Sequence, residues 1–239
     1  MMNEDWYTFL EQIRAARKKL KSPAVVWYRG HSSDKYHLVP SLHRHVDGLS
    51  REKALFGEFY RSYSRLFEKR ANDWETLFDM QHHGIPTRLL DWTEALGVAV
   101  AFAVLDRFEN DRNAEIFVLN PLALNRYSGL DEVKEIPSKG FKYKAVYWEN
   151  QPFAAQYPIA IAPRLQSNRM VAQRATFTVH GSSGDGLDQQ CPKAIVKVPL
   201  KASALQGARE FLEHANITSY SIFPDILGMA RHISRKHFG

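Results

Sequence analysis

A single cysteine, Cys191, stands in the 239-residue chain, so no internal disulfide framework can form. Long hydrophobic runs are missing as well. The longest, "ALGVAVAFAVL" from Ala95 to Leu105, has eleven residues, against roughly 20 needed to span a bilayer, and no membrane is expected among the partners. The N-terminal stretch "MMNEDWYTFLEQIRAARKKL" lacks the basic start, apolar centre and small-residue cleavage site of a signal peptide. With the lone cysteine, this predicts a cytoplasmic protein. The Gly-X-Ser-X-Gly elbow of serine hydrolases is absent, and Cys191 has no readable basic partner, so acyl-transfer nucleophiles are unsupported. The segment "GSSGDG" follows no strand-to-helix step and has no lysine before Ser or Thr, which argues for a loop and against a phosphate cradle.

The remaining composition is that of an ordinary globular chain, 44% hydrophobic and 24% charged, and one domain is the natural reading of its length. A formal net charge of +6 would help a polyanion approach. Two basic clusters, Arg14–Lys21 and Arg231–His237, read first as a solvated helix face and a charged tail, and second as a nucleic-acid contact. Apolar spacing predicts an amphipathic helix over Asp5–Leu20, then a buried strand in "AVVWYRG" stopped by Gly30. Next comes a long helix capped by Ser50, with Leu55, Phe56, Phe59, Tyr60, Tyr63, Leu66 and Phe67 on one face. A shorter helix restarts at Asn72 or Asp73, and Thr93 caps a central helix from Ala95 to about Phe108. Strands follow at Ala114–Pro121, Ala175–His180 and Ala194–Leu200, the last two as one antiparallel hairpin, while Asn125–Pro163 has no periodic reading. A helix capped by Ser203 and a last helix carrying Ile226, Leu227, Met229, Ala230 and Ile233 complete the chain. The fold class is α+β.

Several polar residues exceed what such a scaffold requires. Arg29 ends an apolar strand, where a guanidinium is costly unless it meets an acid, carbonyl oxygens or an anionic ligand. Gly30 after it serves either close backbone approach or a left-handed turn. In "MQHHGIPTRLLDWTEA", His82 and His83 are adjacent, so neither helix nor strand aims both side chains the same way. No metal is therefore assigned to them, and His82 is kept as an acid–base candidate. Arg88 and Asp91 can pair if their segment is helical. The bland reading of Arg88, Asp91 and Trp92 is a polar clasp on the central helix, and the sharper one is a ligand site opposite Arg29.

The motifs "WYRGHSS", "LVPSLHR", "MQHHGIPTRLLDWTEALGVAVAFA", "NRMVAQRATFTVHG" and "IFPDILGMA", in this order, resemble the FRG-domain family, with Tyr28-Arg29-Gly30 in the place of its name motif. The resemblance implies an N-terminal helix over residues 1–22 and an FRG domain over 23–239. It further implies a mixed, mostly antiparallel split sheet flanked by helices, as in ADP-ribosyltransferases. Those enzymes hold NAD, as substrate, in the cleft of the split. On this resemblance Tyr28, Arg29, Gly30, Arg88, Trp92 and Thr93 would bind the nucleotide, and Gln173, Asp91 and His82 would serve catalysis. Gln173 stands where protein-modifying transferases carry a glutamate, and an amide cannot act as a base. Asp91 and Glu149 are the remaining carboxylates considered. The resemblance also implies transfer to a protein or nucleic acid in a bacterial or phage conflict system, as a defence factor or toxin. The alternative is a non-catalytic module that binds nucleic acid or a partner protein.

Overall fold

In the computed structural model, residues 3–67, 72–105, 113–165 and 167–238 are described. In chain order they form α1 (Glu4–Lys19), β1 (Trp27–His31), α2 (Gly48–Phe67), α3 (Asp73–His82), β2 (Leu89–Thr93), α4 (Leu96–Val104) and β3 (Ala114–Leu119). There follow α5 (Pro121–Asn125), β4 (Lys134–Ile136), α6 (Tyr143–Trp148), β5 (Ile159–Pro163), α7 (Asn168–Gln173) and β6 (Ala175–Val179). The last elements are α8 (Leu187–Gln190), β7 (Ile195–Leu200), α9 (Leu205–His214), α10 (Ser219–Ile222) and α11 (Ile226–Phe238). The side chains of Tyr63, Leu66 and Phe67 and the expected helix end at Phe108 lie outside the described residues. None of the described helices is long and apolar enough to cross a membrane.

The fold is α+β, with one seven-stranded mixed sheet in the order β4-β5-β6-β2-β1-β3-β7. Only β4 and β5 run parallel; the other neighbours are antiparallel. Pairing is uneven at the middle. β1 is registered to β3 at five positions, yet meets β2 at one, Tyr28 opposite Thr93. Beyond that point the sheet parts into a β7-β3-β1 half and a β2-β6-β5-β4 half.

Side chains alternate across each strand, and here the alternation gives each half its own helical cover on one face. α1, α4 and α9 pack on Tyr28, Ile116, Val118 and Val198 of the first half. α3 and α6, with Phe56 of α2, pack on Leu89, Phe177 and Val179 of the second. On the opposite face Trp27, Leu90, Trp92, Phe117 and Leu119 belong to one shared cluster. The seam therefore lies between two helical groups on one face and over a continuous core on the other.

Local physics explains the ends. Asn72 caps α3 in a reciprocal capping box with Glu75. Gly84, at φ +77°, turns the chain after it, as the "HGIP" stretch implies. At Gly30 the reason is proximity: a Cβ there would stand 1.9 Å from the Ala99 carbonyl oxygen, so the glycine lets α4 lie directly on β1.

Other expectations are corrected. The proposed β6–β7 hairpin does not form: β6 lies inside the sheet between β2 and β5, whereas β7 is an edge strand on β3. All of β6 is buried, and its short apolar run resembles half of a hairpin only when neighbours are unknown. Ser50 sits inside α2, its hydroxyl bonded to the Asp47 carbonyl. Ser203 lies in a 3-10 turn and α9 starts two residues later. The unreadable stretch Asn125–Pro163 holds β4, α6 and β5, whose packing is supplied by distant aromatic residues.

Candidate functional site

The seam opens into a cleft of about 360 Å³, within the range of small-molecule sites, about 300–1,000 Å³. β1 supplies Tyr28, Arg29, Gly30 and His31, and β2 supplies Asp91, Trp92 and Thr93. Gln81 of α3, Phe102 of α4, and Arg169 and Gln173 of α7 close the sides. Tyr36 and Arg44 come from the turn region after β1.

Arg29 bridges the parted strands. Its Nη1 donates to the Asp91 carbonyl oxygen at 2.6 Å and lies 3.9 Å from the Asp91 carboxylate. Its Nε donates to His31 Nε2 at 3.0 Å. Burial pulls this guanidinium below its usual range, and Asp91 opposes the shift. The Asp91 side chain, 51% exposed, accepts from Gln81 Nε2 at 2.8 Å. Gln81 is in turn fixed by the Thr87 hydroxyl at 2.5 Å. An open carboxylate thus stands in a set position beside an arginine.

Thr93 joins three elements: its hydroxyl donates to the Gln173 carbonyl oxygen at 2.6 Å and accepts from the Ala95 N–H at 3.0 Å. It supports the start of α4 from three residues before, while Ala95 holds the N-cap position. Gln173 ends α7, two residues before β6, and so stands at a helix end and not on a strand. Its Nε2 donates to the Ile222 carbonyl at 3.2 Å. Trp92 is 3% exposed, and its indole N–H donates to the Thr178 hydroxyl.

Three candidates fall outside the cleft lining. Arg88 precedes a strand, so pairing with Asp91 on a helix face does not arise. Its Nε reaches both Glu52 carboxylate oxygens at 2.8 and 2.9 Å, its Nη2 reaches Oε2 at 2.7 Å, and its Nη1 donates to the Gly181 carbonyl. Burial alone would lower the Arg88 pKa, yet Glu52 outweighs it and the net shift is upward. Tyr143 and Trp148 also donate to Glu52, which makes this a buried clasp. His82 is the last residue of α3 and largely exposed, with its ring held below the usual range by partial burial and the nearby Arg169. Glu149 follows α6 and is not a lining residue. Among the described residues no three His, Cys, Asp or Glu side chains converge as a metal site would need.

Sequence reasoning missed Tyr36, Arg44 and Arg169 at this site. All three sit in short irregular or single-turn segments where no periodicity marks a face.

Burial favours the neutral form of three histidines in the fold. Burial, then Arg29, pushes His31 down to about 3; burial also lowers His43, and His180 well below the usual value. A lowered folded pKa means that the unfolded chain binds protons first, so stability is full above about pH 6.5 and falls as pH drops below it. Each pH unit costs about 1.4 kcal/mol per histidine that remains neutral. Urea unfolding between neutral and mildly acidic pH should show this decline; an unchanged midpoint would contradict it.

The geometry can be set beside known proteins. Residues 24–112 match the family model of the FRG domain. An FRG domain is thus recognised over that segment. No curated protein and no solved structure matches the chain. The matched residues run from before β1 to beyond α4 and include Arg29, Arg44, Gln81, Asp91, Trp92 and Thr93. Arg169 and Gln173 lie beyond the match, so the FRG segment supplies most of the cleft and the later chain closes it.

Proposed function

We propose that the protein binds NAD in the seam cleft and transfers its ADP-ribose to a protein or nucleic-acid acceptor. The observation that carries this reading is the charge on the cleft wall: Arg29, Arg44 and Arg169 face a single carboxylate, Asp91. Guanidinium groups bind phosphate oxygens in pairs, so this excess favours a compact dianion such as a diphosphate. Tyr36, 57% exposed at the cleft, offers an open ring for a base or nicotinamide, a role that Trp92 is too enclosed to fill.

In the transfer, the bond between ribose C1′ and the nicotinamide nitrogen breaks and nicotinamide leaves with the electron pair. The acceptor's nucleophile bonds to C1′ and gives up its proton. Asp91 is the group suited to balance the oxocarbenium charge and take that proton. Gln173, tethered through Nε2, presents its Oε1 to a ribose hydroxyl.

Calorimetric titration of NAD tests the reading. Binding should appear with the unaltered chain and weaken about tenfold in Arg169→Ala; absence of binding to the unaltered chain would overturn it. With labelled NAD, Asp91→Asn should retain binding and lose about 10²-fold or more in nicotinamide release. Binding without release in the unaltered chain would favour a non-catalytic module.

A further inference from the structure

α11 is amphipathic in the unusual sense, with its apolar arc turned away from the protein. Ile226, Ala230 and Ile233 follow the i, i+4, i+7 rule of one helix face, and Leu227 and Met229 widen it on either side. These residues are open: Ile226 is 78%, Leu227 70% and Ile233 49% exposed. The only buried residue of the helix is Gly228, where a Cβ would stand 1.8 Å from the Phe223 carbonyl oxygen. The helix thus leans on the preceding turn through its glycine and leaves its greasy side in solvent. On the same inner side, Arg235 donates to Ser219.

Charge decides what would cover the arc. "ILGMARHISRKHF" contains no acid, and its cations border the arc on both edges: Arg231 is one turn from Leu227, and Lys236 two turns from Met229. Two copies of α11 packed together would oppose like charges. An anionic bilayer satisfies both parts, taking Ile226, Leu227, Ile233 and Phe238 into the headgroup–acyl boundary while the cations meet lipid phosphates. A helix lying on a membrane differs from one crossing it, and thirteen residues suffice for the former.

We infer that α11 is a docking surface for anionic membranes. It adjoins the cleft through Phe223, which packs on Phe102 and under Arg169.

Flotation with phosphatidylcholine vesicles, with and without phosphatidylserine, tests the inference. The chain should float with phosphatidylserine vesicles at low salt and remain behind with phosphatidylcholine alone. Leu227→Ser/Ile233→Ser should reduce binding at least about tenfold with the fold retained by circular dichroism, and Lys236→Glu should weaken it and flatten its salt dependence. Failure of the unaltered chain to bind anionic vesicles, or equal binding by the serine variant, would overturn the inference. So would sedimentation showing a dimer that the serine substitutions dissolve, which assigns the face to a second copy.

Discussion

Glu52→Ala is expected to lower the unfolding free energy by about 3–5 kcal/mol, because it leaves the Arg88 guanidinium buried without its counter-charge. Both side chains are less than one-tenth exposed, and the pair is joined by three N–H···O contacts. Tyr143 and Trp148 lose their acceptor in the same step. For a chain of this size the thermal midpoint should fall by roughly 10 °C. Arg88→Met in the Glu52→Leu background should recover much of the loss, since removing both charges removes the desolvation cost. A single-variant effect below about 1 kcal/mol, against that range, would show that the clasp is not what holds α2 and α6 to β2.

Arg29→Ala should weaken NAD binding by about 100-fold, the effect of losing charge-assisted hydrogen bonds to a phosphate. The variant also removes the tie to the Asp91 carbonyl and a partner of His31, so a modest drop in stability accompanies it. Arg29→Lys separates the effects: it retains charge but cannot reproduce the two-pronged contact, and binding should stay weak while the fold recovers. Calorimetry and a thermal melt on the same samples check both; unchanged affinity in Arg29→Ala would remove Arg29 from the ligand site.

The parts of this molecule legible from sequence are those where local chemistry and tertiary demand agree. The capping at Asn72, the turn at Gly84 and the all-apolar α4 needed no knowledge of neighbours. Arg29 stood out because a charged group ending an apolar strand needs an explanation, and Asp91 because its window holds more polar groups than a helix entrance requires; the two share the cleft with Gln173. Arg88 drew attention for the same reason, yet its partner, Glu52, lies on a helix read only for its apolar face. The strand order was hidden because β6 and β7 are short runs whose neighbours are chosen by packing across the sheet. Arg44 and Arg169 were hidden because an arginine in a turn or a one-turn helix looks like any solvated cation until the chain brings it to a wall.

The single register pair at Tyr28 and Thr93 has a thermodynamic corollary. Past it, besides the core shared on the far face, a side chain, Arg29, reaches across to the Asp91 backbone. An anion that draws this guanidinium toward itself competes with that bond, so occupancy of the cleft and stiffness of the seam are reciprocally linked. On the proposed reading, one arginine would serve both as the ligand's anchor and as a tie across the seam.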